Sequence, residues 1–229
     1  MAAKQATQTI PIVFGAVSDP VGTGLVTSLA RPGGNVTGIA GVFGSLAPKR
    51  VELLREILPG VKRIGLVGDA NDPSAKVDQQ ALVPVAASLG LTIIVAEAAN
   101  PVEFDTAVAS LIVDRVDAIF GRASPIVYNM RGRLIELANQ KRLPVIGSLP
   151  IVADAGALFA YGASLAHRLR RSAPLVDKIL KGAKPADLTV EQPNLYELVV
   201  NPRAAKALGI TIPRSIPRSI LLRADRVIE

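Results

Sequence analysis

The chain has 229 residues, 49% hydrophobic and 20% charged, enough apolar material for a core in one or two domains. It has no cysteine, which rules out disulfides and thiolate metal sites, and no apolar run near the roughly 20 residues of a membrane helix. A net charge of +7 is scattered along the chain, and 3% aromatic residues with no tryptophan supply no base-stacking platform, so composition argues against a nucleic-acid partner.

The first residues are polar and lack the basic-then-apolar pattern of a signal peptide. Residues 10–17, IPIVFGAV, are a branched apolar run that predicts a buried strand. Ser18, Asp19 and Pro20 end it and can start a helix, with Val21, Leu25, Val26 and Leu29 on one face. The segment 31–35, RPGGN, stops that helix, and 36–42 reads as the next strand. Beyond it the pattern predicts a helix over 47–58, a strand over 63–67, a helix over 74–89 containing Pro84, and a strand over 91–96. A helix over 101–115, a strand over 117–120, a helix over 126–141 and strands over 144–147 and 157–161 follow. A helix over 165–181, strand pieces at 190–192 and 196–200, and a short helix over 204–208 complete the series. The tail repeats the unit IPRS at 212–215 and 216–219, a duplication best accommodated as a loop. The alternation specifies an α/β fold: a parallel sheet with helices on both faces.

No catalytic constellation emerges. Gly22-Thr23-Gly24 begins like a dinucleotide loop, but Thr27 holds the third glycine's place and the first acid after it, Glu52, lies in a helix. There is no Walker lysine, nucleophile elbow or two-histidine motif, and the single His167 sits on a predicted helix without a partner ligand. No catalytic residue, metal or cofactor is therefore assigned. In open α/β sheets ligands bind at the carboxyl ends of the strands. Those loops carry Ser18, Asp19 and Pro20; Asp69, Asn71, Asp72 and Ser74; Arg122 and Ser124; Ser148; and Tyr161 at the end of its strand. Helix amino termini after the first three loops favour an anion such as a carboxylate, and Asp19 could receive an ammonium. Asp19 and Asp72 read equally well as helix caps, and Tyr161 as a packing or hinge residue.

The strings IPIVF, SDPVGTGLVTSLARPGGNVTG, KRVELLREILPGVKRIGLV, YGASLAHRLRR, VDKILKGAKPADLTVEQP, YELVVN, AKALGITIP and LLRADRVIE span nearly the whole chain. With them the chain resembles the substrate-binding proteins of ABC importers, in the branch that includes tryptophan and tyrosine binders. The resemblance implies a periplasmic-binding-protein type 1-like fold of two lobes with parallel sheets flanked by helices. It places residues 1–60 and 158–185 in lobe 1 and 61–157 and 186–229 in lobe 2. In the family, a leader and further strand–helix units precede the segment matching AAKQAT, so lobe 1 is expected to be incomplete and to offer a surface for homodimerisation. The resemblance also implies a non-enzyme that captures a small molecule, an amino acid or other carboxylate, between its lobes. An ABC permease would be its partner and the periplasm or another extracytoplasmic space its location. The family's aromatic amino-acid binders carry an acidic or amide pair in the loop matching Arg122-Ala123-Ser124-Pro125. Here Arg122 and Ser124 stand there without an acid, so a carboxylate-bearing or uncharged ligand fits as well as an amine. A ligand-sensing domain of a regulator and an α/β enzyme are the alternative readings.

Overall fold

The computed structural model describes residues 1–41, 43–72, 75–209 and 218–229, apart from the side chains of 43–45, 76–78 and 218–219. Ser74 and most of the duplicated IPRS tail lie outside the described residues. The chain forms two compact units, Met1–Val42 with Ala163–Tyr196 and Phe43–Gly162 with Glu197–Glu229. Among the described residues no helix is long and apolar enough to cross a membrane.

The first unit opens with α1 (Ala2–Ala6), followed by β1 (Ile12–Val17) and β2 (Val36–Ala40). The second begins with α2 (Phe43–Ile57), β3 (Arg63–Asp69), α3 (Ala75–Ser88), β4 (Thr92–Ala98) and α4 (Pro101–Val113). It continues through β5 (Ala118–Gly121), α5 (Pro125–Asn129), α6 (Arg131–Asn139), β6 (Val145–Gly147), α7 (Pro150–Asp154) and β7 (Phe159–Gly162). The chain returns to the first unit with α8 (Leu165–Leu180), then finishes the second with β8 (Glu197–Val200), α9 (Pro202–Ala207), α10 (Arg218–Arg223) and β9 (Arg226–Val227).

The second unit holds a seven-stranded sheet in the order β4-β3-β5-β6-β7-β8-β9, parallel throughout except for the antiparallel β7/β8 pair. Period-two alternation sends Ile64, Leu66 and Phe120 to one face, where Val51, Leu54 and Ile57 of α2 and Leu82 of α3 cover them. Val67, Ile119 and Val145 point to the other face, under Phe104, Val108 and Leu111 of α4 and Leu134 of α6. Both faces are dry, which is why the strands read as apolar runs rather than as alternating ones. Each fully buried Leu, Ile or Phe contributes about 1.5–3 kcal/mol by transfer from water. The α4 start is a reciprocal cap: Asn100 Oδ1 accepts from the N–H of Val102 and Glu103, while Glu103 Oε2 accepts from the N–H of Ala99.

In the first unit β1 and β2 pair in parallel, Ile12 beside Val36, with an irregularity between Phe14 and Val17. Leu25, Val26, Val36, Ala40 and Val190 form its core. The helix expected after Pro20 is a series of turns instead. Gly24 takes a left-handed φ of 70°, and the carbonyls of Gly24 and Leu25 accept from Lys4 Nζ at 2.6 and 3.0 Å rather than from amides one turn on. Leu25 and Val26 are still buried, so the apolar spacing reported burial and not helix.

Other expectations are corrected by side-chain competition or strand pairing. The helix expected over 126–141 is broken at Met130, where Arg131 Nη1 donates to the Tyr128 carbonyl at 2.6 Å. The strand piece at 190–192 is one parallel bridge between Ile39 and Glu191. Helix α2, expected with lobe 1, packs into the second unit because Val51, Leu54 and Ile57 are buried against β3. Strand β7 joins the same unit through its ladders with β6 and β8. Val190 is part of the first unit's core, although its segment was expected in lobe 2.

Candidate functional site

The carboxyl ends of β3, β4 and β5 converge on Arg122. Its backbone N–H extends the ladder, donating to the Val67 carbonyl at 2.9 Å. Its side chain turns across β3 over Gly68, where no β-carbon stands in the way. From there Nη1 donates to Glu97 Oε1 at 3.0 Å, and Nη2 lies 3.6 Å from Asp72 Oδ2. Arg122 is only 3% exposed, and its Nε and Nη2 have no hydrogen-bond acceptor among the described residues. A buried guanidinium with donors left over is costly unless something accepts from them.

A second guanidinium comes from α2. Arg50 donates from Nε to the Tyr161 carbonyl at 2.6 Å and from Nη2 to the Ser148 carbonyl at 3.4 Å, and its Cζ lies 5.8 Å from the centroid of the Phe120 ring. Arg50 and Arg122 line the same small cavity, about 10 Å³, whose other walls include Leu66, Leu82 and Phe120.

The residues expected at the site divide by what their polar atoms already do. Arg122 and Asp72 are brought together. Asp69 Oδ1 accepts from the N–H of Asn71 and Asn71 Nδ2 donates to the Ala99 carbonyl, so both hold the turn after β3. Ser124 caps α5 by accepting from the N–H of Val127, and the Ser148 hydroxyl donates to the Gly121 carbonyl at 3.1 Å. The Tyr161 side chain packs half-buried against the core beneath α2. In the first unit, Asp19 Oδ1 accepts from the N–H of Gly22 at 2.7 Å, and no hydrogen bond is described for Oδ2. Ser18 beside it is half-buried, and Pro20 is buried.

Sequence reasoning missed Arg50 and Glu97. Arg50 carried a signal: with Ala47, Val51 and Leu54 it occupies the i, i+3, i+4, i+7 stripe that faces the core, so a charge was written onto a buried face. Glu97, next to last in β4, gave none. The single histidine lies near the start of α8, beside Arg168, whose burial lowers its pKa although a guanidinium stays protonated. His167, Arg168, Arg171 and Glu191 help to line a pocket of about 40 Å³ in the first unit, where Arg171 pairs with Glu191 at 2.6 Å. Chemically, the rim of the second unit offers guanidinium donors beside carboxylate acceptors, a set suited to recognising a charged or polar small molecule.

The family model described as ABC transporter substrate binding protein matches residues 1–228. A tyrosine-binding protein of Clostridioides difficile (strain R20291) is 28% identical over 209 residues, covering 91% of this chain; the chain spans 60% of that relative's length. Among solved structures, a conserved domain protein from Vibrio cholerae is 35% identical with a TM-score of 0.89, over 99% of this chain and 74% of its own. The ABC domain in complex with L-Trp from Streptococcus pneumonia is 28% identical with a TM-score of 0.88, over 98% of this chain and 76% of its own. With these neighbours the chain shares a periplasmic-binding-protein type 1-like fold.

Proposed function

Because the chain belongs to the ABC transporter substrate-binding protein family, we propose that it captures a small carboxylate-bearing solute, such as an amino acid, for an ABC importer. In this reading it is not an enzyme: it holds the solute outside the cytoplasm and presents it to a membrane permease. The observation that carries the reading is Arg122, buried at the carboxyl end of a parallel strand with two donor nitrogens that have no hydrogen-bond acceptor among the described residues. A carboxylate would supply them, and Asp72 and Glu97 beside it would receive an amine or hydroxyl of the same solute. The tyrosine and L-Trp named for the relatives make aromatic amino acids the first solutes to try.

Isothermal titration calorimetry against tyrosine, tryptophan, the other amino acids and small mono- and dicarboxylates tests the proposal. The expected result is saturable 1:1 binding of at least one of them. Arg122→Gln should weaken it about ten- to hundred-fold, the loss of a charge-assisted hydrogen bond worth about 1.5–3 kcal/mol. Absence of binding across the panel overturns the reading.

A further inference from the structure

We propose that the cavity shared by Arg50 and Arg122 is an anion subsite that takes one small monovalent anion: a halide, or one oxygen of a formate-sized carboxylate. This deepens the solute-binding reading and rests on it for its purpose, but not for its test, which compares small anions with a bulky reference anion.

Four features of the second unit support the assignment. The cavity, about 10 Å³, is the size that holds a single water or a single oxygen atom. Two cationic side chains line it, Arg50 at 2% exposure and Arg122 at 3%. Ala47, Leu66, Leu82 and Phe120 make the rest of its lining mostly apolar, with Ser148 the other polar residue, so the two charges are screened less than at an open surface. Finally, Arg122 retains two nitrogens, Nε and Nη2, without a hydrogen-bond acceptor among the described residues.

The neighbouring carboxylates do not meet that need. Glu97 takes Nη1, and Asp72 approaches Nη2 only to 3.6 Å, too long for a hydrogen bond. Glu97 stands on the edge strand β4 and Asp72 in the turn after β3, whereas Leu66, Phe120 and Arg50 line the cavity with Ala47 of α2 and Leu82 of α3. An anion in the cavity would accept from Arg122 on the side the carboxylates leave open. The site also discriminates by size: a bulky anion does not fit so small a hole.

The test is thermal unfolding of the whole chain at constant ionic strength, replacing sodium gluconate stepwise with chloride, bromide, formate or acetate. Gluconate is too large to enter and serves as the reference. The expected result is a saturable rise in Tm with at least one of the small anions, as for any ligand that binds only the folded state. Saturation by chloride and bromide assigns a resident halide. Saturation by formate and acetate without halide assigns the subsite to a solute's carboxylate. Arg122→Gln should abolish the saturable part. Since that variant also loses the Glu97 pair, Ala47→Val is the second variant: it fills the cavity from α2, keeps both arginines, and should abolish saturation too. Anomalous scattering from bromide-soaked crystals should place one peak within hydrogen-bond distance of Arg122 Nε. A Tm that follows all anions and gluconate alike, or saturation unchanged in both variants, overturns the proposal and leaves the cavity to water.

Discussion

The guanidinium of Arg122 rests on the bare backbone of Gly68: a β-carbon at residue 68 would lie 2.9 Å from its Cζ and 2.9 Å from its Nε. The interior glycine of β3 and the arginine after β5 are thus one feature, because the long side chain crosses the sheet only where its neighbour strand has no side chain.

Gly68→Ala should therefore displace Arg122 from Glu97 and lower stability by about 1–3 kcal/mol, the usual cost of overpacking. Urea unfolding measures the loss, and the anion-dependent part of Tm should fall with it. A variant as stable as the parent would mean that the side chain has room to move.

Gly162→Ala should cost more than Gly68→Ala. Its β-carbon would run into the Ser148 carbonyl oxygen, a backbone atom that no rotamer change can move aside. The two variants compared in one urea series give the ranking, and a smaller loss at residue 162 would contradict it.

Asn201 ties two elements of the second unit. It is buried, accepts from the Ala204 N–H at 3.0 Å to cap α9, and donates from Nδ2 to the Ala153 carbonyl at 3.2 Å. Asn201→Ala should cost about 1–3 kcal/mol, since it strips the cap and leaves a buried carbonyl unmet. Asn201→Asp keeps the cap acceptor but loses the donor, and should not restore full stability.

Asp105 and Arg133 form a forked pair on the surface, with Arg133 Nε 3.0 Å and Nη2 2.7 Å from Asp105 Oδ2. The Arg133 hydrogen bonds hold the Asp105 carboxyl below its ordinary pKa, and the same contacts raise that of Arg133. A depressed carboxyl contributes stability above its unfolded pKa, near 4, and loses it as pH falls through the lower folded value. The contribution is small because the pair is exposed to solvent. NMR titration should give Asp105 a midpoint below the usual aspartate range, and Asp105→Asn should flatten the acid limb of stability against pH.

The α/β class was legible because strands covered on both faces must be apolar, and 64–67, 118–120 and 144–147 all read that way. The break at Met130 was not legible. It depends on an arginine side chain competing for a helix carbonyl, and local propensity does not register that competition. The same limit explains the missing helix after Pro20: the spacing of Leu25 and Val26 predicted burial correctly, but Lys4, about twenty residues away, holds the carbonyls that a helix would have used.

At the site, Asp72 and Arg122 were visible as polar residues at strand ends, and the topology that gathers strand ends at one rim follows from the parallel sheet. By itself the sequence determined which loops gather there, since the order of strands and helices and the handedness of their connections follow from a local pattern. Only the tertiary structure decided which side chains in those loops remain available. Ser124 and Ser148 are used up as a cap and a tie, while Arg122 keeps donors that the described residues do not meet. The physical reason is that hydrogen bonds saturate: whether a polar atom is open depends on every neighbour within about 3 Å, and most of those neighbours lie far away along the chain.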